Sequence, residues 1–315
     1  MRVGIVDDER CEKHIQTKNH QECPNRLKVT RKYLKGKNPQ KIALYDKLIQ
    51  IQPTPITLND LLNVHDPDYL NTLNGLTKRK VTFCDDVIAN KNSVEAALVA
   101  AGGVMAAVDT VIQGVGINKV FCNIRPPGHH ASSSEAAGFC LLNNIAIGVN
   151  RALFPTENKP NNIKKALIFD WDLHHGDGTE EIFKNNPQVL YCSFHCSYIY
   201  PHTGHTSQGN IHNYPLDENV TSDEYMTKFY TFLEKAYDFQ PDIVFISCGF
   251  DSHKDDIYHV LPLDYRHFEI MTRQLCKLAN SCCRGRLISV LEGGYDVNVL
   301  AKCVFTHIQT LLENA

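Results

Sequence analysis

The chain has 315 residues, 43% of them hydrophobic and 21% charged, and a formal net charge of -3. That is the composition of an ordinary globular protein, long enough to bury a core without disulfide or metal staples. It lacks the clustered basic charge of a nucleic-acid binder, so no direct nucleic-acid partner is expected, and charge alone does not advertise a chromatin target.

No stretch reads as the roughly 20 apolar residues of a membrane span, so no membrane partner is expected either. The opening residues MRVGIVDDERCEKH hold no signal-peptide apolar segment. A reducing setting is therefore expected, cytoplasmic and/or nuclear rather than secreted. The twelve cysteines include no CxxC pair.

In chain order, Arg2 to Val6 is a short apolar strand. Ser93 to Ile112, rich in Ala and Val, has the character of a helix. Lys119 to Asn123 is a strand running into RPPGHH, and Gly138 to Leu153 is predicted as a helix beginning within GFCLLNN. KALIF (Lys165 to Phe169) and QVLYCSF (Gln188 to Phe194) are strands. Asp223 to Phe239 carries helical spacing, and DIVFIS (Asp242 to Ser247) is a strand followed by CGFD. Asp264 to Cys283 is a helix, RLISVL (Arg286 to Leu291) a strand followed by EGGYD, and Val297 to Leu312 the last helix. Cys192, His195 and Cys196 fall in or just after an apolar strand and are read as structural rather than as a zinc knuckle.

Alternating strands and helices predict parallel strands joined by crossover helices, and continuously apolar strands predict a sheet covered on both faces. The expected fold is therefore α/β: a three-layer α/β/α arrangement around a mostly parallel sheet. No linker, composition shift or repeat divides it, so residues 1–315 are read as one domain. Ligands of such sheets collect beyond the carboxyl ends of the strands. RPPGHH, DWDLHHGDG, SFHC, GFDSHKDD and EGGY all lie there, which predicts an active site on that rim.

Within DWDLHHGDG, Asp172 and His174 are two residues apart and would face the same side of an extended segment. One carboxylate and one imidazole suit a zinc-type divalent ion, whose catalytic sites usually have three protein ligands. Asp251 of GFDSH is the best third. A lone Asp at such a place would cap a helix; three acidic strand ends flanked by histidines point to metal instead. His129 and His130 follow a stiff Pro-Pro-Gly turn and can act as acid/base groups near neutral pH. Each needs a carboxylate to fix its tautomer, and Asp170 and Asp177 are left to serve. Tyr295, after two glycines at the last strand end, can donate to a developing oxyanion.

Together these residues resemble the zinc-dependent histone deacetylase family, in the wider arginase/deacetylase fold. Seven motifs carry the resemblance in order: HIQTKNHQECPNRL, RPPGHH, GFCLLNN, DWDLHHGDGTEEIF, SFHCSYIYPHTG, SCGFDSHKDD and LEGGYD. GFD, LEGGY and the early CPNRL are more similar to the class II and acetylpolyamine amidohydrolase branch than to class I. The resemblance implies hydrolysis of the acetyl-amide bond of N6-acetyl-lysine, with release of acetate. The implied partner is an acetylated protein or peptide, histone tails included. It implies a zinc ion on Asp172, His174 and Asp251, with iron(II) as the alternative ion in the cell. It makes His130, backed by Asp177, the general base and then acid, His129 with Asp170 an electrostatic partner, and Tyr295 the carbonyl-polarising group. Phe139 and Tyr200, with Gly138 between the histidines and Phe139, match the channel walls, and Arg26 a basic residue at the inner end. A structural potassium ion is implied at Asp170, Asp172, His174, Ser193 and Phe194.

Some positions depart from the pattern. Tyr295 stands where nearly inactive members carry His, which argues for catalysis. IYHVLPL follows GFDSHKDD where relatives often have PLGG, and Tyr258 occupies a gate position usually held by Leu. Deacylation of longer acyl groups therefore stays open, as does acetylpolyamine deacetylation, although Tyr258 is not the acid expected of a polyamine-selective member. The carboxylate gripping the substrate backbone is assigned to Asp86 or its neighbour Asp85. A two-manganese ureohydrolase would need a second Asp where His253 stands. A silent acetyl-lysine reader would not need the intact ligands, histidines and Tyr295.

Overall fold

A computed structural model describes residues 2–36, 38–76, 81–84, 87–155 and 161–315. Among these, ten strands and nine α-helices follow in the order β1 (Arg2–Asp7), α1 (Asn25–Leu34), α2 (Pro39–Tyr45), β2 (Leu48–Ile51), α3 (Pro67–Gly75), β3 (Val81–Cys84), β4 (Val87–Ala89), α4 (Lys91–Gln113), β5 (Ile117–Asn123), α5 (Asn144–Leu153), β6 (Ala166–Asp170), α6 (Asp177–Phe183), β7 (Val189–Cys196), β8 (Ile211–Leu216), α7 (Ser222–Phe239), β9 (Ile243–Cys248), α8 (Tyr265–Cys282), β10 (Leu287–Leu291) and α9 (Val297–Glu313). Eight strands form one sheet in the order β2-β1-β5-β10-β9-β6-β7-β8. Every pairing in it is parallel. β3 and β4 make a separate antiparallel pair.

The expected layers are present, and side-chain alternation assigns their faces. Phe121 of β5 and Ser289 of β10 are register neighbours, and both meet His307 of α9. On the other face, Val6 packs against Gly103 of α4 and Phe245 against Gly148 of α5, so close that a Cβ on Gly148 would sit 3.0 Å from the Phe245 ring. β5, β6, β9 and β10 are buried almost end to end, as continuously apolar strands require. His307 is a polar residue buried in this layer. Thr272 gives its hydroxyl proton to the Phe268 carbonyl, so His307 Nδ1–H must donate to Thr272 Oγ1 at 2.7 Å, leaving Nε2 to accept from Ser289 at 2.8 Å. Burial pushes this histidine down to about 3 and keeps it neutral.

Helix ends follow local chemistry. Thr221 and Glu224 form a capping box at α7, Asp264 caps α8, and Asp296 accepts from two N–H groups of α9. α4 stops at Gly114, which adopts the left-handed conformation.

Two expectations are corrected. Asn92–Gln113 is, by length and composition, apolar enough to cross a membrane, although no such stretch was expected; 67% of its apolar window is buried within this fold. The helix expected from Gly138 begins only at Asn144. Gly138 and Phe139 both have positive φ, 51° and 67°, which a helix cannot contain. The Asn143 side chain then caps the helix by accepting from Ala146 N.

Candidate active site

Strand order brings the motifs together. β5, β10, β9 and β6 are consecutive neighbours in the sheet, so the loops leaving their carboxyl ends share one rim. RPPGHH comes from β5, EGGY from β10, CGFD from β9 and DWDLHH from β6.

Asp172, His174 and Asp251 are buried, with ligand-type atoms all within 4.8 Å of one another. Asp172 and His174 do not lie on an extended segment as expected, because β6 ends at Asp170 and the chain bends. The bend unites them: Asp172 Oδ1 accepts from the His174 backbone N–H at 2.9 Å. His174 Nδ1 lies 3.1 Å from Asp172 Oδ1 and 3.0 Å from Asp251 Oδ2. Leu173 N donates to Asp251 at 3.0 Å, and Gly293 N to Asp172 at 2.7 Å. Gly293 is needed for clearance, since a Cβ there would stand 2.2 Å from Asp251 Oδ2 and 2.6 Å from Asp172 Oδ2. Burial, and then the charge of Asp172, push Asp251 up to about 6 against the pull of His174. Two buried carboxylates and an imidazole in this arrangement fit a divalent cation, whose charge would relieve their repulsion.

The histidine pair is separated by its surroundings. His129 Nδ1 is 3.1 Å from Asp170, and His130 Nδ1 is 2.7 Å from Asp177. Burial works against a charge on His129, but the carboxylates of Asp172 and Asp170 outweigh it and hold His129 well above the ordinary histidine range. His130 is pushed down to about 4 by burial and by His129, against its bond to Asp177. Their backbone is held by Glu292, which accepts from Gly128 N at 2.6 Å and His129 N at 3.2 Å. Glu292 is buried, and burial pushes it up to about 7.

His130, Gly138, Phe139, His174, Tyr200, Tyr258 and Tyr295 line one cavity of about 200 Å³. Gly138 is required beside His130, because a Cβ at that residue would lie 2.1 Å from the imidazole Cδ2. Phe139 and Tyr258 each set a ring edge-on to Tyr295, at 6.0 and 5.7 Å. Arg26 is buried behind them. It donates to Gly294 O at 2.7 Å and to Glu292 O, and lies 5.0 Å from the Tyr295 ring centroid. The β6–β7 register sets Ser193 beside Asp170, with Phe194 next along β7; Ser193 Oγ is 2.9 Å from His195 Nδ1. Cys192, His195 and Cys196 are buried strand residues, as expected. Asp86 and Asp85 lie outside the described residues.

Sequence reasoning missed the supports of this site. Glu292 sits inside the quoted LEGGYD with no role assigned; an acid closing an apolar strand was the available signal. Glu22 bridges Arg26 and Arg125 in full burial. Asp256 accepts from the backbone N–H groups of Tyr295 and Asp296, at 2.7 and 2.9 Å. Only the Glu22–Arg26 half, an i,i+4 pair, is encoded by spacing; the contacts of Glu22 with Arg125 and of Asp256 with Tyr295 and Asp296 are not.

The histone deacetylase domain matches residues 20–311. The chain is 35% identical over 305 residues to a "Probable deacetylase" of Archaeoglobus fulgidus, covering 94% of this chain and 82% of that one. It is 31% identical to "Histone deacetylase 5" of Arabidopsis thaliana over 99% of this chain, and spans 49% of that relative's length. The crystal structure of the HDA15 HD domain superposes with a TM-score of 0.87 at 30% identity, covering 99% of this chain and 88% of that one. The chain belongs to the histone deacetylase family, and its activity at that level is hydrolytic deacetylation.

Proposed function

We propose that the chain hydrolyses the acetyl-amide bond of N6-acetyl-lysine in proteins or peptides, with Asp172, His174 and Asp251 holding zinc. The observation that carries this reading is that His174 of the buried ligand triad lines one narrow aromatic cavity together with His130 and Tyr295. When bound, zinc supplies Lewis-acid polarisation and lowers the pKa of water from about 15.7 toward about 7. Phe139, Tyr200 and Tyr258 enclose the apolar lysine stem, and Phe139 and Tyr258, edge-on to Tyr295, also border the acyl group it carries. Asp177 accepts from His130 Nδ1–H and leaves Nε2 free to take the proton of the attacking water. Tyr295 donates its phenolic proton in a hydrogen bond to the carbonyl oxygen as charge grows there. His130 then returns its proton to the departing lysine amine, and acetate is freed. His129, hydrogen-bonded to Asp170, acts as the electrostatic partner of His130.

The potassium reading at Asp170, Asp172, His174, Ser193 and Phe194 is supported in part by the strand register that sets Ser193 beside Asp170, with Phe194 next along β7. Acetylated histone tails and a cytoplasmic or nuclear setting belong to the same proposal. A polyamine substrate is less favoured. Asp256 is fully buried, with its Oδ2 accepting two backbone N–H groups, which leaves only the exposed Asp255 of that pair to meet a distal cation.

The test is acetate release from an acetyl-lysine peptide and from N8-acetylspermidine, with and without a chelator, after loading with zinc or iron(II). Chelator-sensitive cleavage of the peptide that falls about 100- to 1000-fold in Tyr295→Phe is expected. Cleavage of the polyamine alone would move the substrate, and cleavage of neither by metal-loaded protein would refute the reading.

A further inference from the structure

His20 and Gln21, consecutive residues ahead of α1, each touch a different wall of the cavity, and the mechanism uses neither. The His20 ring stands edge-on to Phe139, with centroids 4.7 Å apart and planes at 89°. Gln21 Nε2 donates to the Tyr258 hydroxyl at 2.6 Å. Phe139 comes from the loop after β5 and Tyr258 from the loop after β9. One dipeptide therefore ties two otherwise separate walls together.

The dipeptide is itself anchored. The Glu22 backbone N–H donates to His20 Nδ1 at 3.1 Å, which fixes the ring. The Glu22 carboxylate is held in full burial by Arg26 and Arg125. The segment anchored at Glu22 thus connects to His20 on one side and, through Gln21, to a phenol that is otherwise a half-buried ring on a loop. Both braced rings lie edge-on to Tyr295, so the brace also sets the space around the reacting carbonyl.

We propose that His20 and Gln21 are specificity-determining residues, which hold Phe139 and Tyr258 at a channel width that accepts an acetyl group and rejects longer acyl chains. The inference rests on the deacetylase reading and deepens it. A wall that cannot yield discriminates strongly, because each methylene that does or does not fit an apolar pocket is worth about 10- to 200-fold. A wall freed from its brace yields and discriminates less.

The test compares kcat/KM for acetyl-, propionyl-, butyryl- and hexanoyl-lysine peptides in wild type, His20→Ala, Gln21→Ala, Tyr258→Phe and the Gln21→Ala/Tyr258→Phe double variant. Thermal midpoint and bound metal are measured alongside. The wild type should prefer acetyl over butyryl by at least about ten-fold. Gln21→Ala and Tyr258→Phe should each lower that preference by about ten-fold, and the double variant no further, because both remove one hydrogen bond. His20→Ala should lower it in the same direction. Should Gln21→Ala fail to fold, Tyr258→Phe still removes the bond at the cost of one oxygen. Preferences that stay at the wild-type ratio in folded, metal-loaded variants overturn the inference, as does additivity in the double variant. A metal-loaded wild type that cleaves none of the peptides would instead bring down the deacetylase reading and this inference with it.

Discussion

Glu22 is the residue on which stability and site geometry most directly meet. It is fully buried, accepts from Arg125 Nη2 at 2.6 Å and from Arg26 Nη1 at 3.2 Å, and leaves both arginines without another carboxylate at hydrogen-bond range among the described residues. Burial pushes its carboxyl up, but the charge and hydrogen bond of Arg125, then the charge of Arg26, reverse this and hold it at about 2, against an ordinary 4.5. A difference of that size corresponds to about 3 kcal/mol at neutral pH. Breaking a buried ion pair from one side typically costs about 3–5 kcal/mol, which agrees. Glu22→Gln should therefore lower the urea unfolding free energy at pH 7 by about 3 kcal/mol. The sign of the pH dependence follows from a depressed folded pKa. The stabilisation is complete above the unfolded value and drains away as pH falls toward the folded one. Glutamine does not titrate, so the gap between wild type and variant should narrow by roughly 1 kcal/mol between pH 7 and pH 4. A gap under about 1 kcal/mol at pH 7, or one that widens on acidification, would refute the assignment of Glu22 as a charged anchor.

Other consequences are more local. His14, His65 and His307 are buried and held down at about 4, 4 and 3, chiefly by burial. Each stays neutral when folded, so its stabilising share is present above pH 6.5 and falls by about 2 kcal/mol by pH 5; a thermal midpoint that does not drop between pH 7 and 5 would contradict this. Gly138→Ala places a methyl 2.1 Å from His130 Cδ2 at a positive φ, and kcat/KM on an acetyl-lysine peptide should fall at least about 100-fold with metal content retained. Asp251→Ala removes one of three ligands, so metal per chain measured by mass spectrometry after dialysis should fall toward zero, while a variant that keeps its metal would exclude Asp251 from the set.

How much could be read beforehand depended on whether a feature is local. Strands such as ALIFD and IVFISC announce themselves as unbroken apolar runs ending in polar residues, and the rim argument needs only that ending. That Asp170 and Asp177 serve the histidine pair was reachable because they are left over once the metal ligands are chosen, while the matching of His129 with Asp170 and of His130 with Asp177 came from the family resemblance. GFCLLNN was read as the start of a helix, whereas Gly138 and Phe139 both take positive φ, with Gly138 set closely against His130. Helices α1, α2, α3 and α6 and strands β2, β3, β4 and β8 were passed over. β2 and β8 are the edge strands of the sheet, and α1 is polar along much of its length, so each has a weak pattern of its own. The roles of Glu22, Gln21 and Asp256 could not be inferred, since each acts on a partner at least 39 residues away.

The distance between motifs explains why the site needs this sheet order. The chain lays β6, β7 and β8 outward to one edge before returning to insert β9 and β10 between β6 and β5. That return places Asp251 and Gly293 against Asp172, and Glu292 beneath His129, although 121 residues separate Asp172 from the Gly293 N–H it accepts. Had β9 continued outward past β8, the same motifs would still end four parallel strands, but Asp251 would stand several strand spacings of about 4.8 Å from His174. The two-residue tie of His20 and Gln21 follows the same logic on a smaller scale. β5 and β9 are not hydrogen-bonded neighbours, since β10 lies between them, so the walls carried by their loops have no strand pairing to set the gap. A segment anchored elsewhere, by the buried Glu22 network, can set it instead. On this view the sheet fixes the metal and the histidines, and the segment ahead of α1 fixes what reaches them. Variants at Gln21 should accordingly change which acyl group is cleaved, and variants at Asp251 whether any is.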